Sequence, residues 1–204
     1  MKKDSFIRDA LILFVITLIS GFCLGLVYDI TKVPIANAKE KAKQEAFKKV
    51  FAEAASFSEN PENTAKIEAK AQEIAGLGLG NVEINEIVDA VDADNQVIGH
   101  VVTATSNDGY GGAIRLSVGI TKEGSINGIA FLTITETAGL GMNALKPEFY
   151  EQFNSKTADK FTVVKTDPKN DDEINALSGA TVTSKAVVAA VNASVYFVKN
   201  CIGN

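Results

Sequence analysis

Ser178-Gly179-Ala180-Thr181-Val182-Thr183-Ser184 is a run of small, hydroxyl-rich residues. It joins an irregular acidic stretch, Asp171-Asp172-Glu173, to an alanine- and valine-rich segment from Lys185 to Val198. That segment has helix composition, and Thr183 or Ser184 is a natural N-cap for it. A helix start preceded by slim residues leaves backbone N–H groups open to an anion, a phosphate above all. The same pattern also describes a helix that is merely well capped. Which reading holds depends on what the rest of the chain brings to this point.

Working outward, the middle third is rich in strand signals. Val82–Val91, Gln96–Ser106, Ala113–Thr121 and Ile126–Thr135 are separated by the turn clusters Asp92-Ala93-Asp94-Asn95, Asn107-Asp108-Gly109 and Lys122-Glu123-Gly124. In the third run Ile114, Leu116, Val118 and Ile120 alternate with Arg115, Ser117, Gly119 and Thr121, the pattern of a half-buried antiparallel strand. His100 falls in the second strand and reads as a satisfied structural histidine. Two glycine-rich loops interrupt this sheet: Gly109-Tyr110-Gly111-Gly112, and Glu136-Thr137-Ala138-Gly139-Leu140-Gly141. Glycine lets backbone approach a flat ligand, and Tyr110 offers a ring and a hydroxyl. Each loop alone reads as a turn; with the hydroxyl-rich helix start they suggest one site made of three loops. Beyond them, Pro147 opens a short helix carrying Phe149, Tyr150 and Phe153, Lys160–Lys165 reads as a short strand, and the last helix is expected from about Thr183 to Asn200. Val187, Val188, Val191, Val195 and Val198 form its expected core face.

Toward the N-terminus, Asn60-Pro61 marks a helix start that Gly76 ends. Gly76-Leu77-Gly78-Leu79-Gly80 lacks the preceding strand and following Lys-Ser/Thr of a phosphate loop, and reads as a flexible connector. Ala38, Ala42, Ala46, Phe47, Val50, Phe51 and Ala54 recur at helical spacing, predicting a helix from about Asn37 to Ala55 after a break at Pro34. Ala10 to Tyr28 contains no charged side chain. Its span as a helix, about 28 Å, matches a hydrocarbon core of about 30 Å. It exceeds the hydrophobic region of a signal peptide and predicts an uncleaved anchor. Gly21 and Gly25 give it a small-xxx-small spacing suited to close helix packing. Basic residues flank both ends (Lys2, Lys3 and Arg8; Lys32, Lys39, Lys41 and Lys43), so charge counting alone does not orient it. A short basic tail is readily kept inside while a long domain crosses. The expected arrangement is therefore a single-pass protein of the cell membrane with a cytoplasmic N-terminus and an extracytoplasmic domain.

Composition narrows the chemistry. The 204 residues carry a net charge of −5, and 46% are hydrophobic, enough for a real core. From Asp29 onward acidic residues outnumber basic ones 23 to 17, which argues against nucleic acid as a partner. A single histidine disfavours Ser-His-Asp hydrolysis and leaves imidazole metal sites short of ligands, so neither a catalytic residue nor a metal site is assigned. Cys23 lies inside the apolar segment, far along the chain from Cys201, so no disulfide framework is expected.

In order and spacing, the anchor, Gly109-Tyr110-Gly111-Gly112, Glu136-Thr137-Ala138-Gly139-Leu140-Gly141 and Ser178-Gly179-Ala180-Thr181 resemble the FMN-binding subunits of ion-pumping membrane oxidoreductases. The likeness is to the G subunit of the Rnf complex in particular, with the C subunit of the sodium-pumping NADH:quinone oxidoreductase as a relative. The resemblance implies an FMN held covalently by a phosphoester to Thr181 and attached by a separate flavin transferase that uses FAD as donor. It implies cofactor contacts from Tyr110, Gly111, Glu136, Thr137, Gly139, Leu140, Gly141, Ser178, Gly179, Ala180, Thr183 and Ser184. It also implies electron relay, without independent catalysis, among the other membrane subunits of a ferredoxin:NAD+ oxidoreductase coupled to Na+ or H+ transport. The chain departs from the family pattern at Asn175, where an aspartate usually stands six residues before the acceptor threonine, and at Ala138, usually proline.

The expected architecture is α+β: a cytoplasmic tail (1–9), a transmembrane helix (10–28), a helical membrane-proximal segment (29–80) and a mostly antiparallel-sheet FMN-binding domain with flanking helices (81–204). Two other readings stay open. One is an FMN domain of a related respiratory or regulatory assembly; the other is a cofactor-free extracytoplasmic binding or scaffold module.

Overall fold

A computed structural model describes residues 3–203; Lys2, counted above in the basic tail, and Asn204, the last residue of the expected domain, lie outside them. Contacts divide the chain into two units, residues 1–43 and 44–204. The described residues of the first, 3–43, are helical and belong to α1 (Lys3–Val50), whose apolar stretch is exposed along its length. This helix is long and apolar enough to cross a membrane. Pro34, expected to break the chain, lies inside it. A proline removes one donor and crowds one carbonyl, which an otherwise strong helix absorbs as a local defect.

In the second unit, β1 (Ser56–Glu59), β2 (Val82–Val91), β3 (Val97–Ser106), β4 (Ile114–Thr121) and β5 (Ile126–Thr133) form one antiparallel meander in sequence order. The four longer strands fall where the alternation and turn clusters put them. The edge strand β1 is an addition to the expected set, and it shortens the preceding helix. The amide of Phe51 still bonds back to Phe47, but that of Ala55 donates to Val91, so the chain leaves α1 for the sheet after Val50. β1 pairs antiparallel with β2, within the compact unit that begins at residue 44. Between these strands, α2 (Pro61–Ala75) starts as its sequence requires: the Asn60 side chain accepts from the Glu62 amide, and Pro61 opens the first turn. The Gly76–Gly80 connector is then pinned at its end, where the Asn81 amide donates to Asp108 at 2.7 Å.

The sheet is covered on both faces. On one side α4 (Thr181–Tyr196) lies against β2, β3 and β4 with nearly every residue buried, and Ile114, Leu116, Val118 and Ile120 point into that core. On the other, Phe47, Val50 and Phe51 form a second core with Val88, Ala90, Val101 and Ala130. Strand β4 is therefore buried on both faces rather than half-buried. Gly119 stands opposite Gly128, and a side chain on Gly119 would meet Val50 and Phe51 at 2.9–3.1 Å. The Asn127 side chain donates to the Val50 carbonyl at 2.7 Å, satisfying one of the carbonyls that a helix end leaves open.

Buried polar groups of β2, β3 and the start of α2 pair with one another. His100 Nδ1 lies 2.8 Å from Asp89, which also accepts from Asn60 and Asn63, as a structural histidine should. Near the C-terminus the Lys70 ammonium and then the Tyr196 hydroxyl hydrogen-bond to Glu73, holding its carboxyl below the ordinary range.

Past β5 the chain makes a 3-10 turn (Gly141–Leu145), the short helix α3 (Pro147–Tyr150), and a two-stranded parallel pair, β6 (Thr162–Val164) with β7 (Glu173–Asn175). The acidic stretch thus runs into a strand, which its charge conceals. Asn192 of α4 grips the backbone before β6, accepting from the Phe161 amide at 2.7 Å and donating to its carbonyl at 2.9 Å. Asn192→Ala orphans both groups, although the open cavity beside them admits water. We expect a loss of about 2 kcal/mol, at roughly 1–3 for each buried unsatisfied group, measurable by chemical denaturation. After Tyr196 the helix widens into a π turn, Phe197–Ile202, two residues beyond the expected end at Asn200.

Candidate functional site

The last helix begins at Thr181, two residues before the expected position, and its N-cap is Ala180. Thr183 and Ser184 are therefore not caps but first-turn residues. The Ser184 hydroxyl is buried, accepting from the Leu177 amide at 2.9 Å and donating to the Ala180 carbonyl at 3.0 Å. It ties the loop shut from inside. The Ser184 amide makes the first helical bond, to Ala180. The amides of Thr181, Val182 and Thr183 consequently face outward without intrahelical partners, at the positive end of a helix. Gly179 adopts φ +73°, a left-handed turn that aims the chain into this start.

In front of these amides lies a cavity of about 520 Å³, within the range of small-molecule sites. It is lined by Tyr110 from the first glycine loop, Glu136, Thr137, Leu140 and Gly141 from the second, and Gly179, Ala180, Thr181, Val182 and Thr183 from the helix start. The three loops anticipated from sequence thus meet at one place. Close backbone approach holds them together. A side chain on Gly111 would strike the Thr135 carbonyl at 2.3 Å, and one on Gly141 would strike Glu136 and Thr183 at 2.7 Å.

Four of the residues named from sequence do not line this cavity. Gly111 works through its backbone, its carbonyl accepting from the Thr135 hydroxyl. Gly139 supplies a φ of +76° and a carbonyl that accepts from Asn143. Ser178 opens instead onto a neighbouring cavity of about 340 Å³ with Lys146, Gln152 and Asn175. Ser184 is buried behind the loop. Sequence reading missed Val182, a half-exposed apolar residue at the cavity edge; its signal is its place one residue past the threonine. The Asn175 backbone is clamped by Gln152, whose Oε1 accepts from its amide at 2.7 Å and whose Nε2 donates to its carbonyl at 3.3 Å.

Chemically, the cavity offers hydroxyls from Tyr110, Thr137, Thr181 and Thr183, three outward amides, an apolar rim of Leu140 and Val182, and one carboxylate. Glu136 is 8% exposed, and its Oε1 is buried without a hydrogen-bond partner among the described residues. A phosphate suits the amides, a flat ring suits the rim, and a ring N–H suits the orphan oxygen. The residues present therefore fit FMN. When bound, FMN would supply the electron-carrying chemistry, while the protein holds and tunes it.

A five-stranded meander with a buried helix and this three-loop cavity defines an FMN-binding domain, and residues 109–195 match the FMN-binding domain family. Residues 1–50 match the RnfG N-terminal region. The chain is 32% identical over 194 residues to the G subunit of the Na+-translocating ferredoxin:NAD+ oxidoreductase complex of Acetobacterium woodii, covering 93% of this chain and 90% of that one. It is 46% identical over 106 residues to the G subunit of the proton-translocating complex of Clostridium ljungdahlii, a match spanning 52% of this chain and 56% of the relative. The chain belongs to the family of G subunits of Rnf-type ion-translocating oxidoreductase complexes. Among solved structures, the C subunit of the Na+-translocating NADH-quinone reductase from Parabacteroides distasonis shares 20% identity over 72% of this chain and 79% of that one, with a TM-score of 0.48.

Proposed function

We propose that this protein is a membrane-anchored flavoprotein subunit that carries FMN on Thr181 and relays electrons within an Rnf-type ferredoxin:NAD+ oxidoreductase coupled to Na+ or H+ transport. The observation that carries the reading is the position of Thr181 as the first residue of α4, lining the cavity beside three outward amides. Its hydroxyl has no hydrogen-bond partner among the described residues and stands among slim neighbours, Gly179 and Ala180, open to a modifying enzyme. A flavin transferase using FAD would form the Thr181 Oγ1–phosphorus bond and release AMP, and the amides would then hold the remaining phosphate oxygens. Tyr110, Leu140 and Val182 would pack the ring system, and Glu136, Thr137 and Thr183 would meet its polar edge.

The apolar stretch 10–28 would anchor the chain, with residues 1–9 inside and the flavin domain outside. Its partners would be the other membrane subunits of the complex. A covalent tether suits that location, because a cofactor lost outside the cell is not recovered. We expect the full chain, co-expressed with a flavin transferase and exported, to give a band that fluoresces under ultraviolet light after denaturing electrophoresis. A dark band from protein whose mass equals the bare chain would overturn the covalent reading, and absence of flavin absorption before denaturation would overturn the FMN reading altogether.

A further inference from the structure

Glu136 is the one formally charged group lining the cavity at neutral pH; the other titratable lining residue is Tyr110, and the α4 start and the 3-10 turn contribute none. Its carboxyl group is built in. A Cβ on Gly109 would lie 2.8 Å from Oε1, and one on Gly141 would lie 2.8 Å from Oε2, so two glycines from two loops keep the niche open for it. Inside that niche Oε1 has no donor among the described residues. A buried, unpartnered acceptor costs stability unless a bound group supplies the hydrogen. The remaining side chains that face the cavity are hydroxyls and hydrocarbons, so Glu136 is its strongest acceptor and its only negative charge.

Building on the FMN reading, we propose that Glu136 accepts the ring N–H of the bound flavin and acts as the charge that holds its reduction potential low. An electron added to the ring brings negative charge into a cavity that already contains a carboxylate and lines no cation against it. The repulsion acts through a partly dry medium, where charges interact more strongly than in water. The step is a plain electron transfer: no bond forms or breaks, and the electron comes from the reductant. Glu136 is thus a positioning and tuning residue.

The test is a spectroelectrochemical titration at fixed pH of the full-length, flavin-loaded protein, the electrode supplying electrons through mediator dyes. Glu136→Gln keeps the shape and one oxygen but removes the charge. We expect flavin content per chain to be retained and the one-electron reduction equilibrium to shift about tenfold toward the reduced form, a rise of about 59 mV. Glu136→Asp, which keeps the charge, should return most of that shift. Flavin-loaded Glu136→Gln with an unchanged potential would overturn the proposal while leaving the FMN reading intact; chains purified without flavin, wild type included, would overturn both. A second measurement needs no variant. The oxidised-minus-reduced infrared difference spectrum of the unmodified protein should contain a carboxylate band that moves on 13C-glutamate labelling, and its absence would equally overturn the proposal.

Discussion

Thr181→Val should give a folded, membrane-inserted protein whose denatured band carries no flavin fluorescence at all. Valine matches threonine in shape and branching, and the Thr181 hydroxyl makes no hydrogen bond among the described residues, so little packing is lost. The N-cap is the backbone of Ala180, not this side chain. We expect a stability change within about 0.5 kcal/mol, the usual range for a substitution that breaks no buried contact. The chemical change is complete: a methyl has no oxygen for a phosphoester. Free FMN should still enter the cavity, because the outward amides and the apolar rim remain, but it should wash out on denaturation. Thr181→Ser restores a hydroxyl and should restore fluorescence. The measurement is in-gel fluorescence normalised to stained protein, with thermal unfolding as the control for fold.

Gly119→Val should be among the most damaging single changes in the domain. Its Cβ would lie 2.9 Å from the Val50 carbonyl oxygen and 3.0 Å from the Val50 side chain, with two further methyls to place against Phe51. The obstruction is partly backbone, so a rotamer change cannot relieve it. Overpacking of this kind costs about 3 kcal/mol, a large share of the 5–15 or so that holds an ordinary domain together. At about 2–4 °C per kcal/mol for a domain of this size, the melting temperature should fall by about 6–12 °C. Gly128 provides the internal control. It faces Gly119 across the strand pair, yet a Cβ there meets nothing closer than 3.6 Å. Gly128→Ala should therefore be nearly neutral. The two are compared by circular dichroism melts of the full chain in detergent.

These glycines show what can and cannot be read ahead of the structure. The four long strands are legible because alternation and turn residues are local signals. Gly119 also alternates correctly, but as a residue facing solvent. Nothing local says that Phe51, nearly seventy residues earlier, comes back to cover that face. Strand β7 is hidden for a related reason: Asp171-Asp172-Glu173 reads as a charged loop, and only its pairing with β6 makes its end a strand. The site is legible as three loops in one order, since glycine and hydroxyl runs announce themselves. Its inner mechanics are not. Ser184 looks like a cap or a ligand and is instead the bolt behind the loop, because the helix starts at Thr181 and turns that side chain inward. Glu136 is visible as part of a motif, but its orphaned oxygen depends on Gly109 and Gly141 converging from separate loops.

Location of the flavin bond is the most direct test of the proposed attachment and of the site built around it. The protein is purified from its native membrane, weighed intact, then digested and mapped by tandem mass spectrometry. The expected result is a mass equal to the chain plus one FMN less one water, and a modified peptide whose fragments place the addition on Thr181. An unmodified Thr181 peptide from protein of bare-chain mass, or a flavin mapped to any other residue, would contradict it.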